Sequence, residues 1–496
     1  MYIAMQGHDF HFELENTARL FLPHEPIRHG GLDGMPADGV KAYTFLREAE
    51  DASHLTVRLV LDDFDETAEE TVLKGEEDHR DACELAMATL LYYHLVKLCG
   101  FTQSWGVLTG VRPVKLLRRL TAEQGQAAAE AFFRDKLLLS EEKMQLVRTT
   151  LGAENRLLSL SRPDSFSLYV SVPFCPTRCD YCSFVSYTVA KAKHLVDPYV
   201  ELLCQEIRRT GEVARDLGLR LETVYFGGGT PTTLSAEQLT AVMQTVADSF
   251  DLSTVREYTV EAGCPDTVTE EKLRAIRAGG AGRVSINPQT LSDEVLETIG
   301  RRHTTAQFYD AYDLAAKVGF DCINTDLIAG LPSDTVEGFS RTLDGILALS
   351  PENVTVHTLS LKRASNLVVQ HRSELPAGDA AIRMIAETAD RLHRAGYHPY
   401  YLYRQSRMAG NQENVGWSKD GKDGLYNVYI MDETHTILGV GAGAVTKLKQ
   451  YGTHYLERIF NYKFPYEYNV GLEEMLRRKE SIYEFYRNYP PVFTEE

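Results

Sequence analysis

From Ser167 onward, short apolar segments alternate with amphipathic ones, and this alternation limits the possible folds more than any other feature of the sequence. The strand-like segments are SLYVSV (167–172), ETVYF (222–226), REYTVEA (256–262), GRVSIN (282–287), DCINTDLIAG (321–330) and NVTVHTL (353–359). They are rich in Val, Ile, Thr and Tyr, which suit a pleated surface. Helical patterns lie between them. SAEQLTAVMQTVADSF opens on Ser235 as N-cap, with Gln238 at the capping-box position. TEEKLRAIRAGG closes on glycines suited to a helix C-terminus, and TTAQFYDAYDLAAKVGF, SDTVEGFSRTLDGILAL and GDAAIRMIAETADRLHRAGY follow. Strands that alternate with helices pair in parallel through right-handed crossovers. The predicted class is α/β, either an open barrel or a doubly wound sheet. In both, ligands bind at the C-terminal ends of the strands.

The flanking segments read differently. Residues 1–160 predict a separate α+β domain: strand-like HFELEN and LTVRLVLDDF, a helical DACELAMATLLYYHLVKLCGF, then the basic stretch SWGVLTGVRPVKLLRRL. The acidic run DDFDETAEETVLKGEEDHRDACE reads as a solvated face or loop. Residues 161–400 hold the core, and 401–496 form a Tyr-rich C-terminal region that carries the run GVGAGA (439–444) and covers the site. At 496 residues the chain has ample mass for several domains. A net charge of −18 argues against nucleic acid as the main partner. No run of eighteen apolar residues is present, so no membrane span is predicted. The stretch MYIAMQGHDFHFELEN lacks the basic start and apolar core of a signal peptide, and a cytoplasmic location is expected.

Eight cysteines are too few for a disulfide scaffold in a chain of this length. Cys83, Cys99, Cys204, Cys264 and Cys322 are scattered and read as small buried hydrophobes. Cys175, Cys179 and Cys182 are different, because they follow the first barrel strand with the spacing C-x3-C-x2-C. A βα loop there stands at the ligand face. Three uses of such a loop are open. A structural zinc site wants four ligands, usually as two separated pairs, and no second pair appears. A thioredoxin-like pair would use Cys179 and Cys182 and leave Cys175 idle. A 4Fe–4S cluster held by three thiolates would keep one iron open for a ligand.

Other candidates sit at strand ends. YFGGGTPTTL (225–234) places Gly228, Gly229 and Thr230 after the second strand, where glycine lets backbone groups approach a ligand. Glu261 ends the third strand, Gln289 follows the fourth and Ser360 the sixth. Arg301 can pair with a carboxylate in bidentate fashion. Asp326 is a charge inside an apolar strand and needs a partner, functional or structural.

The cysteine loop after the first strand resembles that of the radical S-adenosylmethionine (SAM) superfamily. YVSVPFCPTRCDYCSF, YFGGGTPTTL, VSINPQTL and NTDLIAGLP together resemble its oxygen-independent coproporphyrinogen III oxidase (dehydrogenase) family over about 165–450, and SWGVLTGVRPVKLL, ENVGW and GVGAGAVTK are similar to the HemZ-type branch. The resemblance implies a partial (β/α)6 barrel with a 4Fe–4S cluster on Cys175, Cys179 and Cys182. It implies SAM contacts at Tyr169, Tyr181, Gly228, Gly229, Thr230, Glu261, Gln289, Arg301, Asp326, Ser360 and Val445. In the family, SAM binds the open iron and one electron cleaves it to methionine and a 5′-deoxyadenosyl radical. The implied reaction is oxidative decarboxylation of two propionates of coproporphyrinogen III to vinyls, giving protoporphyrinogen IX, with a reductant protein such as flavodoxin or ferredoxin as partner. Arg302, His303, Arg363, Arg404 and Arg407 are candidate cations for the substrate carboxylates. Two positions depart from the patterns of the group. Phe184 stands where the best-known dehydrogenases have a fourth cysteine, and Glu413, in QENVGW, stands where the sister heme chaperones have a histidine. The alternatives are a heme-binding chaperone on the same fold, or another radical SAM reaction on a tetrapyrrole or other substrate.

Overall fold

The computed structural model describes residues 1–493 apart from 24, 76–77, 184–185, 363–364, 366 and 368–378. The chain divides into two compact units. The first comprises Met1–Arg148 and Arg404–Gln412, the second Thr149–Tyr403 and Glu413–Glu496.

In the first unit, β1 (Tyr2–Gln6), β2 (Arg28–Gly30), β3 (Lys41–Glu48), β4 (Ala52–Leu61) and β5 (Phe64–Leu73) form one sheet in the order β2-β1-β3-β4-β5. The pairs with β1 are parallel and the rest antiparallel. Much of the acidic run lies in the edge strand β5, where every second side chain is exposed, as a solvated face requires. The helix His79–Cys99 buries Met87, Leu91 and Leu95 and packs on β4 and β5. By length and composition alone this one helix among the described residues could cross a membrane, which the sequence patterning did not predict; half of its most apolar window is buried within the protein.

The second unit is built on an eleven-stranded sheet. Its strands are β6 (Ser165–Val172), β9 (Arg220–Gly228), β10 (Glu257–Glu261), β11 (Arg283–Ser285), β12 (Cys322–Ala329), β13 (Asn353–Thr358), β14 (His398–Tyr403), β15 (Asn414–Ser418), β16 (Thr436–Val440), β17 (Val445–Lys449) and β18 (Leu456–Phe460). A two-stranded ribbon of β7 (Phe174–Cys175) and β8 (Tyr187–Thr188) stands apart. The six strands expected from the sequence are β6 and β9 to β13. They lie side by side in chain order, and every pair is parallel. Between and after them the expected helices form. Ser235 and Gln238 make the reciprocal capping box at the start of Ala236–Ser249, and Thr304 with Gln307 repeats it at Thr305–Val318.

Strand periodicity divides the two faces. On β6, Phe166, Leu168, Val170 and Val172 enter the core with Leu203 and Ile207 of the helix Val189–Asp216. Tyr169 points the other way, into a cavity. The sheet continues beyond the six strands on both sides. β15 and β14 add antiparallel at β13, and β16 adds parallel to β6 with Leu438 opposite Leu168. Two buried polar clusters fix this C-terminal addition. His435 lies between the Ser161 and Ser167 hydroxyls at 2.8 Å each, and burial lowers its pKa to about 3, so it is neutral. Glu206 and Lys479, both fully buried, pair at 3.0 Å. Glu206 also accepts from Gly441 N, Asn461 Nδ2 and Tyr468 OH, and Lys479 donates to Gly439 O at 2.6 Å.

Candidate active site

The site is assembled at the C-terminal ends of β6 and β9 to β12. Cys175 closes β7, and Cys179 and Cys182 follow in the loop that returns to β8. All three are half-buried and free of disulfides. The loop is pinned at several points. Asp180 N donates to Ile299 O at 3.0 Å, Leu367 N donates to Asp180 O at 3.0 Å, and Cys182 N donates to Cys179 O at 3.1 Å.

Arg301 is the main brace. Its Nε and Nη2 donate to Tyr181 OH at 3.2 and 3.1 Å, and its Nη1 donates to Gly263 O at 2.9 Å and Asn287 O at 3.2 Å. A planar guanidinium can reach three acceptors in this way, which a lysine cannot. Thr230 Oγ1 lies 3.7 Å from Cys175 Sγ and 3.4 Å from Cys264 Sγ. Cys264, read from sequence as a small buried hydrophobe, is buried, and its Sγ also lies 3.7 Å from Arg301 Nη1. The glycine run lies directly against the cysteine strand. Gly229 N donates to Val172 O at 2.8 Å, and a Cβ on Gly229 would stand 2.5 Å from Phe174 O and 2.9 Å from Phe174 N. Gly228 has φ +104°, a conformation that other residues rarely adopt.

A cavity of about 420 Å³ opens on the same sheet, its walls drawn from several strands, and Glu261 in its wall is linked to the loop through Asn287 and Arg301. Tyr169, Tyr225 and Tyr426 form one wall, with the Tyr225 and Tyr426 rings stacked at 4.3 Å. Glu261, Asp326 and His357 line the cavity together with hydrophobic Ile430 and Met431, and Val445 at the start of β17 joins them. Tyr225 OH donates to Glu261, and Asn287 Nδ2 donates to its other oxygen at 3.2 Å. Burial, and after it the neighbouring Asp326, pushes the Glu261 carboxyl up to about 7. Asp326 Oδ1 accepts from Asn324 Nδ2 at 2.8 Å, and its Oδ2 lies 3.7 Å from His357 Nε2. Gln289 holds a left-handed backbone, φ +69°, and bridges to β12 through Gln289 N to Asp326 O and Ile328 N to Gln289 O, both 3.0 Å. Its buried side-chain oxygen has no partner among the described residues. Ser360 is half-buried two residues beyond β13.

Of the residues expected from sequence, Tyr181 and Arg301 touch directly, Thr230 reaches Cys175, and Tyr169, Glu261, Asp326 and Val445 share the cavity. Tyr225, Asn287, His357 and Tyr426 complete the site and were missed. Asn287 and Tyr225 each stand within two residues of a motif glycine or glutamine, which is the only signal that the sequence carries for them. Two of the candidate cations, His303 and Arg404, do not fit the role given to them. His303 is buried, and burial, then Arg301, lowers its pKa to about 3, so it carries no charge. Arg404 is buried in the first unit, where it donates to Leu108 O at 2.5 Å and covers the Trp105 ring at 4.8 Å. Arg407 also belongs to the first unit and is exposed there. Arg302 is exposed, and Arg363 and Phe184 lie outside the described residues.

The donor set fits an iron–sulfur cluster and its ligand. Among the described residues no three His, Cys, Asp or Glu side chains gather closely enough to hold a single metal ion. Thiolates that each hold a different iron stand further apart than the ligands of one ion. Burial raises the Cys175 pKa, a preference that a bound metal overrides because a coordinating thiol is deprotonated outright. The unpartnered Gln289 oxygen and the glycine backbone supply polar contacts for a bound organic molecule.

A family model described as the radical SAM superfamily matches residues 169–346. Over 500 residues the chain is 36% identical to the oxygen-independent coproporphyrinogen-III oxidase-like protein HemZ of Bacillus subtilis (strain 168), covering 98% of this chain and 99% of that protein. It is 31% identical over 328 residues to the heme chaperone HemW of the same organism, covering 63% of this chain and 81% of that one. Among solved structures, the coproporphyrinogen III oxidase HemN from Escherichia coli, a radical SAM enzyme, is similar with a TM-score of 0.51 and 24% identity over 65% of this chain and 72% of that chain. That likeness is one of fold.

Proposed function

The chain belongs to the radical SAM superfamily, among the oxygen-independent coproporphyrinogen III oxidase-like proteins of HemZ type, and from that premise we propose that it oxidatively decarboxylates two propionates of coproporphyrinogen III. The observation that carries this reading is one hydrogen-bonded path. It runs from the three-thiol loop through Tyr181, Arg301 and Asn287 to Glu261 on the cavity wall. Cys175, Cys179 and Cys182 would hold the 4Fe–4S cluster, and Tyr169, Tyr181, Gly228, Gly229, Thr230, Glu261, Gln289, Arg301, Asp326, Ser360 and Val445 would surround SAM. When bound there and reduced by one electron, the two would supply a 5′-deoxyadenosyl radical.

The protein's own groups orient and shield. Arg301 braces the cysteine loop through Tyr181. Gly229 leaves its backbone open to close approach. Glu261 and Asp326 offer carboxylate oxygens to a ribose or an amine. The tyrosine rings exclude water from a reactive site. The substrate loses a β-hydrogen from a propionate, then CO2 and one electron, leaving a vinyl; a second round gives protoporphyrinogen IX.

Heme binding and delivery is the second reading, favoured by the likeness to HemW. Glu413 weakens it, because a buried carboxyl residue occupies the position of the chaperones' histidine, where its backbone oxygen accepts from Thr358 Oγ1 at 2.7 Å. Anaerobic incubation of reconstituted protein with SAM, dithionite and coproporphyrinogen III, followed by mass, separates the two. Loss of CO2 and two hydrogens in each of two successive steps, abolished by Cys179→Ala, is expected. SAM cleavage with unchanged porphyrinogen overturns the dehydrogenase, and stoichiometric heme uptake would then support the chaperone.

A further inference from the structure

The short ribbon β7–β8 joins the cysteine loop to the protein surface. Tyr187 of β8 pairs with Phe174, and Thr188 with Cys175, so the surface strand stands one inter-strand spacing, about 4.8 Å, from a thiol-bearing strand. Tyr187 packs edge-on against two further rings, Phe464 at 6.1 Å and Tyr466 at 6.4 Å, which stack on each other at 5.7 Å. Tyr466 is 47% exposed, and Val470, on the same short helix Pro465–Val470, is 88% exposed. Tyr187 and Phe464 are half-buried beneath them, and an exposed ring and aliphatic side chain over such a base are a common mark of an interface.

The charges around these rings run against the rest of the chain. The molecule carries −18, yet Lys191 and Lys193, at the start of the helix Val189–Asp216 on which the Pro465–Val470 segment packs through Asn469 Nδ2 to Leu195 O, and Lys463, whose Nζ lies 6.0 Å from the Phe464 ring, are exposed. None of the three has an ion-pair partner among the described residues. One carboxylate, Glu467, lies within the patch and accepts from Tyr466 OH at 3.3 Å. Cations without partners beside exposed rings match a partner whose redox group emerges at an apolar edge rimmed by carboxylates. Complementary charge governs the encounter rate and its salt dependence, and redox encounters need only small interfaces.

We propose that the face formed by Tyr187, Phe464 and Tyr466, rimmed by Lys191, Lys193 and Lys463, docks an acidic one-electron carrier protein. The proposal rests on the reading of Cys175, Cys179 and Cys182 as cluster ligands. One electron leaves the carrier and enters the cluster, taking it from 2+ to 1+; no atom or proton crosses the interface.

The test uses reconstituted full-length protein and reduced flavodoxin, with cluster bleaching followed by stopped flow and dithionite as the small reductant. Lys191→Glu/Lys193→Glu/Lys463→Glu is expected to slow reduction by flavodoxin at least tenfold at low salt. The gap should close as salt rises, with dithionite reduction unchanged. Lys317→Glu, an exposed change elsewhere, should leave both rates alone. Tyr466→Ser removes a ring and no charge, and should slow flavodoxin several-fold at every salt concentration. Wild-type rates with flavodoxin in both the triple variant and Tyr466→Ser overturn the proposal. If dithionite bleaches no cluster even in the wild type, the cluster assignment fails first and the docking face falls with it.

Discussion

Glu261 shows how the site's chemistry appears in stability. Its carboxyl is buried beside Asp326 and titrates at about 7, above the 4.5 of a free glutamate, in spite of hydrogen bonds from Tyr225 and Asn287. The folded protein therefore holds a proton between these values that the unfolded chain has released. Stability falls as pH rises through that window. Glu261→Gln removes the effect and keeps an acceptor for Tyr225. Its denaturation midpoint should gain on the wild type between pH 5.5 and pH 8.5, and an equal or shrinking difference would sink this account. At this scale the sequence was legible where a motif is local: Cys175, Gly229, Thr230, Tyr181 and Arg301 were named from it and are neighbours in the folded chain. Asn287 and Tyr225 were not, because what selects them is Glu261, which reaches them only once β9, β10 and β11 lie side by side.

Among the elements, the six parallel strands were legible from their period and β-branched content, and the capping residue Ser235 from its spacing to Gln238. The pairing of β16 with β6 was not, since Thr436–Val440 reads as a short apolar run with no indication of its neighbour. Burial of Glu206 with Lys479 was equally illegible, because charged residues in amphipathic helices are usually solvated. This pair ties the Val189–Asp216 helix to the glycine turn after β16. Lys479→Met strands the Glu206 charge and should cost about 3–5 kcal/mol in urea unfolding. Glu206→Gln/Lys479→Met should cost clearly less than that single change, because no charge is left buried. A double variant as unstable as the sum of its singles would show the pair to be uncoupled.

For the molecule as a whole, the β/α alternation predicted the parallel order of the six strands and pointed to their C-terminal ends, where the candidate site lies. What lies beyond the alternation, the eleven-strand extent of the sheet, depends on contacts between distant parts of the chain. The neighbour relation of β6 and β16 has a further meaning in time. Phe166 opposes Thr436, so one edge of the first barrel strand meets its partner only after about 270 more residues have been made. At about 5–20 residues per second, a ribosome leaves that edge open for roughly 15–55 s. An unpaired strand edge is a template for the wrong partner. A chain stopped at residue 430 should therefore collect in the insoluble fraction, and recovery of soluble, monomeric protein would show that the edge is protected in some other way. During synthesis, then, this edge is exposed to misassembly for tens of seconds, until Thr436–Val440 has emerged to cover it.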